Sequence, residues 1–196
     1  MSDPNKTELL KQLEQFKLGA LDFREQAKLE RDIADASSEL HAELVQMLEK
    51  ETEPAAQIEL LRIMGITQDA FYADAILNFL SSAYAPEVRQ TAATSLGLVR
   101  SPKSFAALID LLEDASPNVR LGAVYGLQAF GDRGAIKHLL TKLSDQEPVR
   151  VWWNSPKAGG YTVAKEAAVA IDDLSGQAFK GNIQKIKEWI ERNADA

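Results

Sequence analysis

The chain has 196 residues, of which 45% are hydrophobic and 26% are charged, and it contains no cysteine. This composition is typical of one soluble globular unit that buries roughly 70% of its unfolded surface. The missing cysteines exclude disulfides, thiolate zinc sites, iron-sulfur clusters and cysteine nucleophiles.

The net charge of -7 is concentrated in the first half of the chain. Residues 1–50 carry 7 Lys or Arg against 11 Asp or Glu, residues 51–100 carry 3 against 6, and the remainder is balanced. Such a chain repels phosphate backbones and anionic lipid surfaces, so we expect neither a nucleic-acid nor a membrane partner. A protein partner with a basic face fits this charge distribution better.

No segment of the sequence has the features that direct a chain into or across a membrane. The first twenty residues are too polar for a signal peptide, and no later run approaches the roughly 18 apolar residues that span a bilayer. We therefore expect a cytoplasmic protein.

The first predicted element is a capping helix over residues 5–18. Asn5 or Thr7 supplies a residue type that starts helices, and one apolar stripe follows. A stack of helical repeats leaves an apolar face open at each end, so this helix is expected to cover the first repeat. At the other end, Trp189 in the final helix is expected to close the last repeat. The stripe of the capping helix consists of Leu9, Leu10, Leu13 and Phe16.

The central part of the chain repeats itself with a period of about 32 residues. Pro54, Pro86 and Pro117 recur at offsets of 32 and 31, and the same offsets superpose apolar and small residues on residues of the same kind. Periods of this length indicate arrays of helix pairs. The predicted repeats, within a single domain over residues 1–196, cover about residues 22–50, 53–81, 85–113, 116–144 and 163–192.

Each repeat is predicted to form two helices. The recurring prolines stand where the first helical turn tolerates them, because the N–H that proline lacks has no helical partner there. Small residues such as Ala92 and Gly97 then recur at helical spacing and allow neighbouring helices to approach closely. An amphipathic second helix follows, with Leu108 and Leu112 on its apolar face. Neither helix buries its apolar face alone, so the repeats must stack.

The two central repeats have the sequences PEVRQTAATSLGLVRSPKSFAALIDLLED and PNVRLGAVYGLQAFGDRGAIKHLLTKLSD. They resemble the HEAT-like repeat of the phycobilisome-lyase type, whose pattern is roughly VR, a spaced Ala, LG and then an amphipathic LL helix. The resemblance implies an all-α fold, an α-α superhelix (solenoid) of about five HEAT-like helical repeats with an N-terminal capping helix. It also implies protein binding, although a fold by itself does not define an activity.

The sequence contains no recognisable catalytic constellation. The two histidines, His41 and His138, lie far apart on second helices, and no HExxH motif or His-Glu pair occurs. Gly159-Gly160 lacks the Lys-Ser/Thr pair of a phosphate-binding loop, and no GxSxG turn is present. We expect both histidines to be partly exposed helix residues, and we expect a protein that is not an enzyme and has no metal or cofactor.

Two arginines recur at the same repeat position. The resemblance implies that Arg89 and Arg120 brace one repeat against the next through acidic or carbonyl partners, as such arginines do in related solenoids. The alternative is that they form a ladder that reads phosphates or carboxylates. Gln57 and Ala164 or Lys165 interrupt this ladder in other repeats, which favours bracing.

The junction between the fourth and fifth repeats contains an insertion. The repeat offset there is 44 residues, 13 more than the preceding one, and the extra stretch is approximately residues 151–162. Trp152, Trp153 and Tyr161 lie in this loop, and aromatic residues dominate binding hot spots. The loop is therefore either a binding device or a lid in which the tryptophans fold back on the core.

A second predicted binding surface is the inner face of the superhelix, which we assign to the second helices of the repeats. Polar residues that point away from the apolar stripe are the candidates, although any solvated helix face has such residues. These candidates are Asp74, Asn78, Asp110, Lys137, His138 and Thr141.

The features together predict a non-enzymatic protein–protein interaction module, such as an adaptor, an assembly factor or an inhibitor of the immunity type. The concave helix face and the 151–162 loop would hold the partner. The alternative is an enzyme subunit that resembles the bilin lyases and handles a tetrapyrrole chromophore. The chain shows no clear basic pair for the propionates of such a ligand.

Overall fold

The computed structural model describes residues 4–17, 20, 22–35, 38–149 and 160–193. Within these ranges the chain is helical and contains no strand, which confirms the predicted all-α helical solenoid. The helices of the described ranges are α1 (Pro4–Lys17), α2 (Phe23–Ala34), α3 (Ser38–Lys50), α4 (Pro54–Ile66), α5 (Ala73–Leu77), α6 (Pro86–Val99), α7 (Pro102–Leu111), α8 (Pro117–Phe130), α9 (Ile136–Leu139), α10 (Val163–Ser175) and α11 (Ile183–Asn193).

The repeats form two layers of helices. The first helices α4, α6, α8 and α10 lie side by side, and each contacts the next along the stack. The second helices α5, α7 and α9 form the other layer and pack on the first helix of the following repeat. The apolar faces of the helices are buried by this stacking, because a single helix pair cannot cover both of its apolar faces.

The ends of the first helices follow simple backbone rules. Proline occupies the first turn of α4, α6 and α8, where it removes no helical hydrogen bond. Gly131 and Gly176 follow α8 and α10 with φ of +83° and +71°, the left-handed conformation that glycine adopts without strain. Arg100 takes the same role after α6 with φ of +50°.

Two of the second helices, α5 and α9, are less regular than the predicted continuous amphipathic helices. α5 lies between the 3-10 segments Ala70–Tyr72 and Asn78–Leu80, and α9 between Arg133–Ala135 and Leu140–Ser144. Each begins with an aspartate cap, in which the side chain accepts a hydrogen bond from a backbone N–H two residues later. Short 3-10 turns of this kind are common where a helix begins.

The core runs along the interior between the two layers. One position of the first helices illustrates it, because Met64, Leu96, Leu127 and Ile171 are all fully buried at equivalent places in successive repeats. At the far end of the chain, Trp189 packs against this core with its ring 5.6 Å from that of Phe179, as a closing residue should.

An ion pair fastens the capping helix α1 to the repeats. Lys17 Nζ lies 2.7 Å from Glu51 Oε2, and Glu51 Oε1 accepts hydrogen bonds from the backbone N–H groups of Thr52 and Glu53. The hydrogen bond from Lys17, with those from the backbone, lowers the pKa of Glu51. The carboxylate therefore ties α1 to the loop that leads into α4.

The two ends of the inserted segment are held next to each other. The N–H of Val149 donates to the carbonyl of Tyr161 over 3.1 Å, and Pro148 pairs with Thr162 in a short antiparallel bridge. Immediately after the bridge, the N–H of Ala164 donates to the carbonyl of Asp145 over 2.8 Å. These contacts return the chain to the repeat register at α10.

Candidate protein-binding site

The first helices approach one another more closely than side chains normally allow. A Cβ added to Gly97 would lie only 2.1 Å from the carbonyl oxygen of Gly126, and one added to Gly122 would lie 2.6 Å from that of Gln90. Glycine at these positions is therefore a condition of the packing. The contact between α4 and α6 adds a hydrogen bond, in which Ser95 donates to the carbonyl of Leu61 over 2.8 Å.

This spacing favours the first helices for the inner face, where the sequence analysis expected the second helices. In a curved stack, the more closely spaced layer lies on the inside of the curve, and here that layer is α4, α6, α8 and α10. The second helices contact one another far less, and we therefore take them as the outer layer. Hydrophobic periodicity shows which stripe of a helix is buried, but it contains no information on the direction in which a stack bends.

An open groove crosses the inner face. It has a volume of about 330 Å³ and runs over α4, α6 and α8. Its exposed surface is mostly apolar, since the hydroxyls of Thr91 and Thr94 donate to the carbonyls of Glu87 and Gln90 within their own helix, over 3.0 and 3.2 Å. The lining residues are Ile58, Arg62, Gln90, Thr91, Thr94, Ser95, Leu98 and Tyr125.

Arg62 makes three side-chain contacts on the α4 side of the groove. Its guanidinium pairs with Glu30 over 3.1 Å and with Glu59 over 3.0 Å, and it stacks on the ring of Phe16 with 4.9 Å between Cζ and the ring centroid. One cation is thus shared by two carboxylates. The local charge at this end of the groove is negative.

Tyr125 lies on the α8 side and connects the groove to the fifth repeat. Its hydroxyl donates to Glu166 Oε2 over 3.1 Å, and the Glu166 side chain is buried. Burial, together with the nearby Glu166 carboxylate, raises the pKa of Tyr125. The hydroxyl therefore stays protonated and remains a donor to the carboxylate at neutral pH. One turn further along α8, Gln128 donates to Asp173.

The groove residues share a position in the repeat that sequence reasoning overlooked. Arg62, Thr94, Tyr125 and Val169 are related by the repeat offsets of 32, 31 and 44 residues. The first three line the groove, and Val169 is one of the few large apolar side chains exposed in the described ranges. Applying the offsets to the polar side of the first helices, and not only to their buried side, would have revealed this row.

The residues predicted on the second helices lie on the outer layer. Asp74, Asn78, Asp110, Lys137 and Thr141 are exposed, and His138 is half-buried. The structure does not gather them at the groove. Thr141 donates to the carbonyl of His138 over 2.7 Å, so its hydroxyl bonds within its own helix.

Two of these residues border a separate surface depression. Asp74 and Asn78 line a shallow site of about 420 Å³ together with Phe71, whose side chain is 51% exposed. Asp74 also pairs with Lys103 over 2.8 Å, but both side chains are largely exposed. Exposed pairs of this kind contribute about 0.5 kcal/mol or less, so the pair gives this surface little rigidity.

Of the aromatic residues predicted in the inserted loop, one can be located. Tyr161 is buried, with 9% of its surface exposed. Trp152 and Trp153 lie outside the described residues. Tyr161 therefore belongs to the base of the segment, where its carbonyl pairs with Val149, and is not a free contact residue.

The structure confirms that Arg89 and Arg120 are braces. Arg89 donates to both oxygens of Asp114 over 2.8 and 3.2 Å, and Arg120 donates to both oxygens of Asp145 over 2.7 and 3.2 Å. Each also donates to a main-chain carbonyl in the loop before its own helix. Gln57 retains that second contact, donating to the carbonyl of Glu51 over 2.7 Å.

His41 is buried, which contradicts the expectation of partial exposure. Only 8% of its surface is exposed, and its ring lies 5.2 Å from that of Tyr72. Nε2 lies 3.2 Å from the carbonyl oxygen of Ile33, and Nδ1 lies 3.3 Å from Asp69 Oδ2. The side chain joins the first repeat to the second, a tertiary role that its place on an amphipathic helix did not reveal.

Two kinds of feature are absent from the described part of the chain, a metal-binding group and a membrane-spanning helix. It contains no group of three or more His, Cys, Asp or Glu side chains that could hold a metal ion. None of its helices combines the length and the hydropathy that a membrane span requires.

Fold and site together define a helical-repeat protein with an open groove on its closely packed face. A family model described as HEAT repeats matches residues 73–153, which run from α5 into the inserted segment. The match supports the predicted HEAT-like repeats over this part of the chain. The match does not distinguish the phycobilisome-lyase type from other HEAT repeats. No curated protein matches the chain.

Proposed function

We propose that this protein is a non-enzymatic interaction module whose partner protein binds the inner face formed by α4, α6, α8 and α10. HEAT repeats are commonly protein-interaction modules, which supports the general role. The observation that carries the proposal is the open, mostly apolar groove on this face. Concave surfaces with apolar lining and a few fixed polar groups are the usual form of binding sites.

The rigidity of this face supports a binding role. The glycine contacts hold the first helices at one spacing, and the braces of Arg89 and Arg120 fix successive repeats to each other. A preorganised surface loses little conformational entropy when a partner binds, so more of the interaction energy appears as affinity.

Affinity capture from a lysate of the native host, with three Thr→Arg variants of the full chain, tests the proposal. Thr94→Arg blocks the groove, Thr141→Arg alters the outer layer, and Thr52→Arg changes an exposed loop residue as a neutral control. We expect Thr94→Arg to reduce recovery of the captured protein at least about tenfold, as loss of a hot spot does. Loss with Thr141→Arg but not with Thr94→Arg would assign binding to the outer layer instead.

The inserted loop remains a second predicted contact. If Trp152 and Trp153 contact the partner, replacing both with Ser should leave the melting temperature nearly unchanged and weaken binding by about 2 kcal/mol. If they instead cover the core, the same variant should melt early, and its folded fraction should bind normally. Melting and affinity measured on one preparation distinguish the two roles.

A further inference from the structure

We propose that the inner-face groove binds an extended segment of the partner in which one large apolar side chain is flanked by Lys or Arg on both sides. The inference rests on the proposed function and specifies the chemistry of its occupant. Neither the family match nor the repeat pattern assigns a ligand to these residues.

The size of the groove favours a single anchoring side chain. Its volume of about 330 Å³ lies at the lower end of the range for ligand pockets, roughly 300–1,000 Å³. A helix that binds in a groove presents a row of apolar anchors at i, i+4 and i+7, which needs a longer apolar channel. An extended chain that places one side chain in the groove fits the available space.

The surface of the groove selects an apolar anchor. Ile58, Leu98 and the ring of Tyr125 supply its apolar contacts, and all three are half-buried around the open space. The hydroxyls of Thr91 and Thr94 already donate within α6, as described above, so neither requires a partner in the groove. An aliphatic or aromatic side chain that covers this surface displaces water from it, and the free energy gained is about 25 cal/mol per Å² of buried apolar area.

The charges around the groove select basic neighbours for that anchor. On the α4 side, Arg62 is outweighed by Glu30 and Glu59. On the α8 side, Glu166 and Asp173 accept hydrogen bonds from the neutral groups of Tyr125 and Gln128. Glu166 is buried, but the exposed carboxylate of Asp173 is available to attract positive charge from a partner.

A third negative position lies at the start of α6. Glu87 is exposed one turn before Thr91, and in the described ranges Glu87, Glu166 and Asp173 form no ion pair with a Lys or Arg. The carboxylates that are bonded to lining residues or to their neighbours, or that lie one turn before them, therefore outnumber Arg62, the cation of the lining. The partner segment that complements this negative charge has positive charge before and after its apolar anchor.

A random dodecapeptide library displayed on phage and selected against the full-length protein tests this inference. We expect enriched peptides to share one Leu, Ile, Phe or Trp with Lys or Arg on both sides. The most enriched peptide is then synthesised with a fluorescent label, and its affinity is measured by anisotropy for the wild type and for variants of the full chain.

Charge reversal at matched positions gives the decisive comparison. Glu87→Lys should weaken binding of that peptide about fivefold, whereas Glu191→Lys, the same change on exposed α11, should change it less than about twofold. Thr94→Trp, or Thr91→Arg if the first variant folds poorly, should fill the groove and weaken binding more than about tenfold. Replacing the apolar anchor of the peptide by Ala should have a similar effect.

Several outcomes would overturn the inference. Enriched peptides without basic residues, equal effects of Glu87→Lys and Glu191→Lys, or binding that survives a filled groove would each contradict it, as would a selection that enriches no groove-dependent peptide. The proposed function is judged separately by lysate capture with Thr94→Arg. A loss of capture in that experiment would support inner-face binding even if the basic-peptide chemistry fails.

Discussion

Single residues set the spacing of the inner layer, and Gly97 is the clearest case. Its Cα faces the backbone of Gly126 in the next repeat, where no flexible side chain can move aside. The residue type is therefore determined by the contact between two helices and not by the conformation of its own helix. The sequence predicted close packing at this position from the recurrence of small residues at helical spacing.

Gly97→Ala should destabilise the protein by about 2 kcal/mol, because the new methyl group forces the backbones of α6 and α8 apart. Thermal and urea unfolding measure the change. Gly134→Ala is the matched control, since its nearest neighbour is the Asp132 side chain at 3.0 Å, and we expect a change below about 1 kcal/mol. Equal effects of the two substitutions would show that the inner layer tolerates wider spacing.

The ion pair of Arg120 and Asp145 should make stability depend on pH in the acidic range. Burial acts to raise the pKa of Asp145, but the hydrogen bonds and charge of Arg120 outweigh it, and the pKa lies below its ordinary value. The folded state therefore gains stability from the ionised carboxylate above the unfolded-state pKa of about 4. That stability is lost as the pH falls through the lower pKa of the folded state.

Asp145→Asn should therefore cost about 3 kcal/mol at pH 7, and the difference from the wild type should shrink as the pH falls from 5 to 2. Urea unfolding across this range measures it. Glu147→Gln is the control, because Glu147 contacts the same guanidinium at 3.2 Å but is 61% exposed, and should cost at most about 0.5 kcal/mol. A pH-independent difference for Asp145→Asn would contradict the assigned role.

At the scale of elements, the first helices followed the sequence pattern, whereas α5 and α9 departed from it. Proline, small residues and buried apolar positions act within α6 and α8 themselves, so the sequence contains most of what determines these helices. The 3-10 segments around α5 and α9 depend on Asp69 and Asp132, whose caps form only in the folded loop. Apolar periodicity does not reveal them, since both helix types expose a similar stripe over one turn.

Phe16→Ala tests how much the docking of the capping helix α1 contributes to the stability of the protein. Phe16 is almost completely buried and supports the guanidinium of Arg62, so we expect a loss of about 3–4 kcal/mol and faster amide exchange in α1 than in α6. Leu10→Ala on the same helix removes a half-buried side chain and should cost less than half as much. Hydrogen exchange resolved along the chain measures both, and unchanged exchange in α1 would show that its docking does not depend on Phe16.

At the scale of the whole molecule, the central repeats should unfold as one unit. Ala92 and Ala123 are fully buried between packed helices, and Asp at either position places an unpaired charge there, at a cost of several kcal/mol. Because a domain of this size is stable by only about 5–15 kcal/mol, either variant should lose folded structure throughout the array. Circular dichroism melting measures this loss, and a variant that melts near the wild-type temperature would contradict the repeat register.

The fold was more predictable than the site because different physical facts determine them. Helix type, repeat length and buried positions follow from local periodicity, and the interrupted recurrence of Arg89 and Arg120 favoured a bracing role over a ladder that reads ligands. The inner face depends on which layer packs more closely, a property of the whole stack. The groove also combines Arg62 and Tyr125, which are 63 positions apart in the numbering and share only a repeat position.

The backbone bridge between Pro148 and Thr162 has a consequence for protein engineering. The pairing of Val149 with Tyr161 and the contact of Ala164 with Asp145 set the register of α10 at the base of the loop. The number of residues in the loop can therefore change without shifting that register. Loop length carries only a small entropic cost, about 0.6 kcal/mol for each doubling. Provided that Trp152 and Trp153 do not cover the core, foreign peptides grafted between residues 150 and 159 should be displayed by an intact solenoid, which would make this junction an acceptor site for loop libraries.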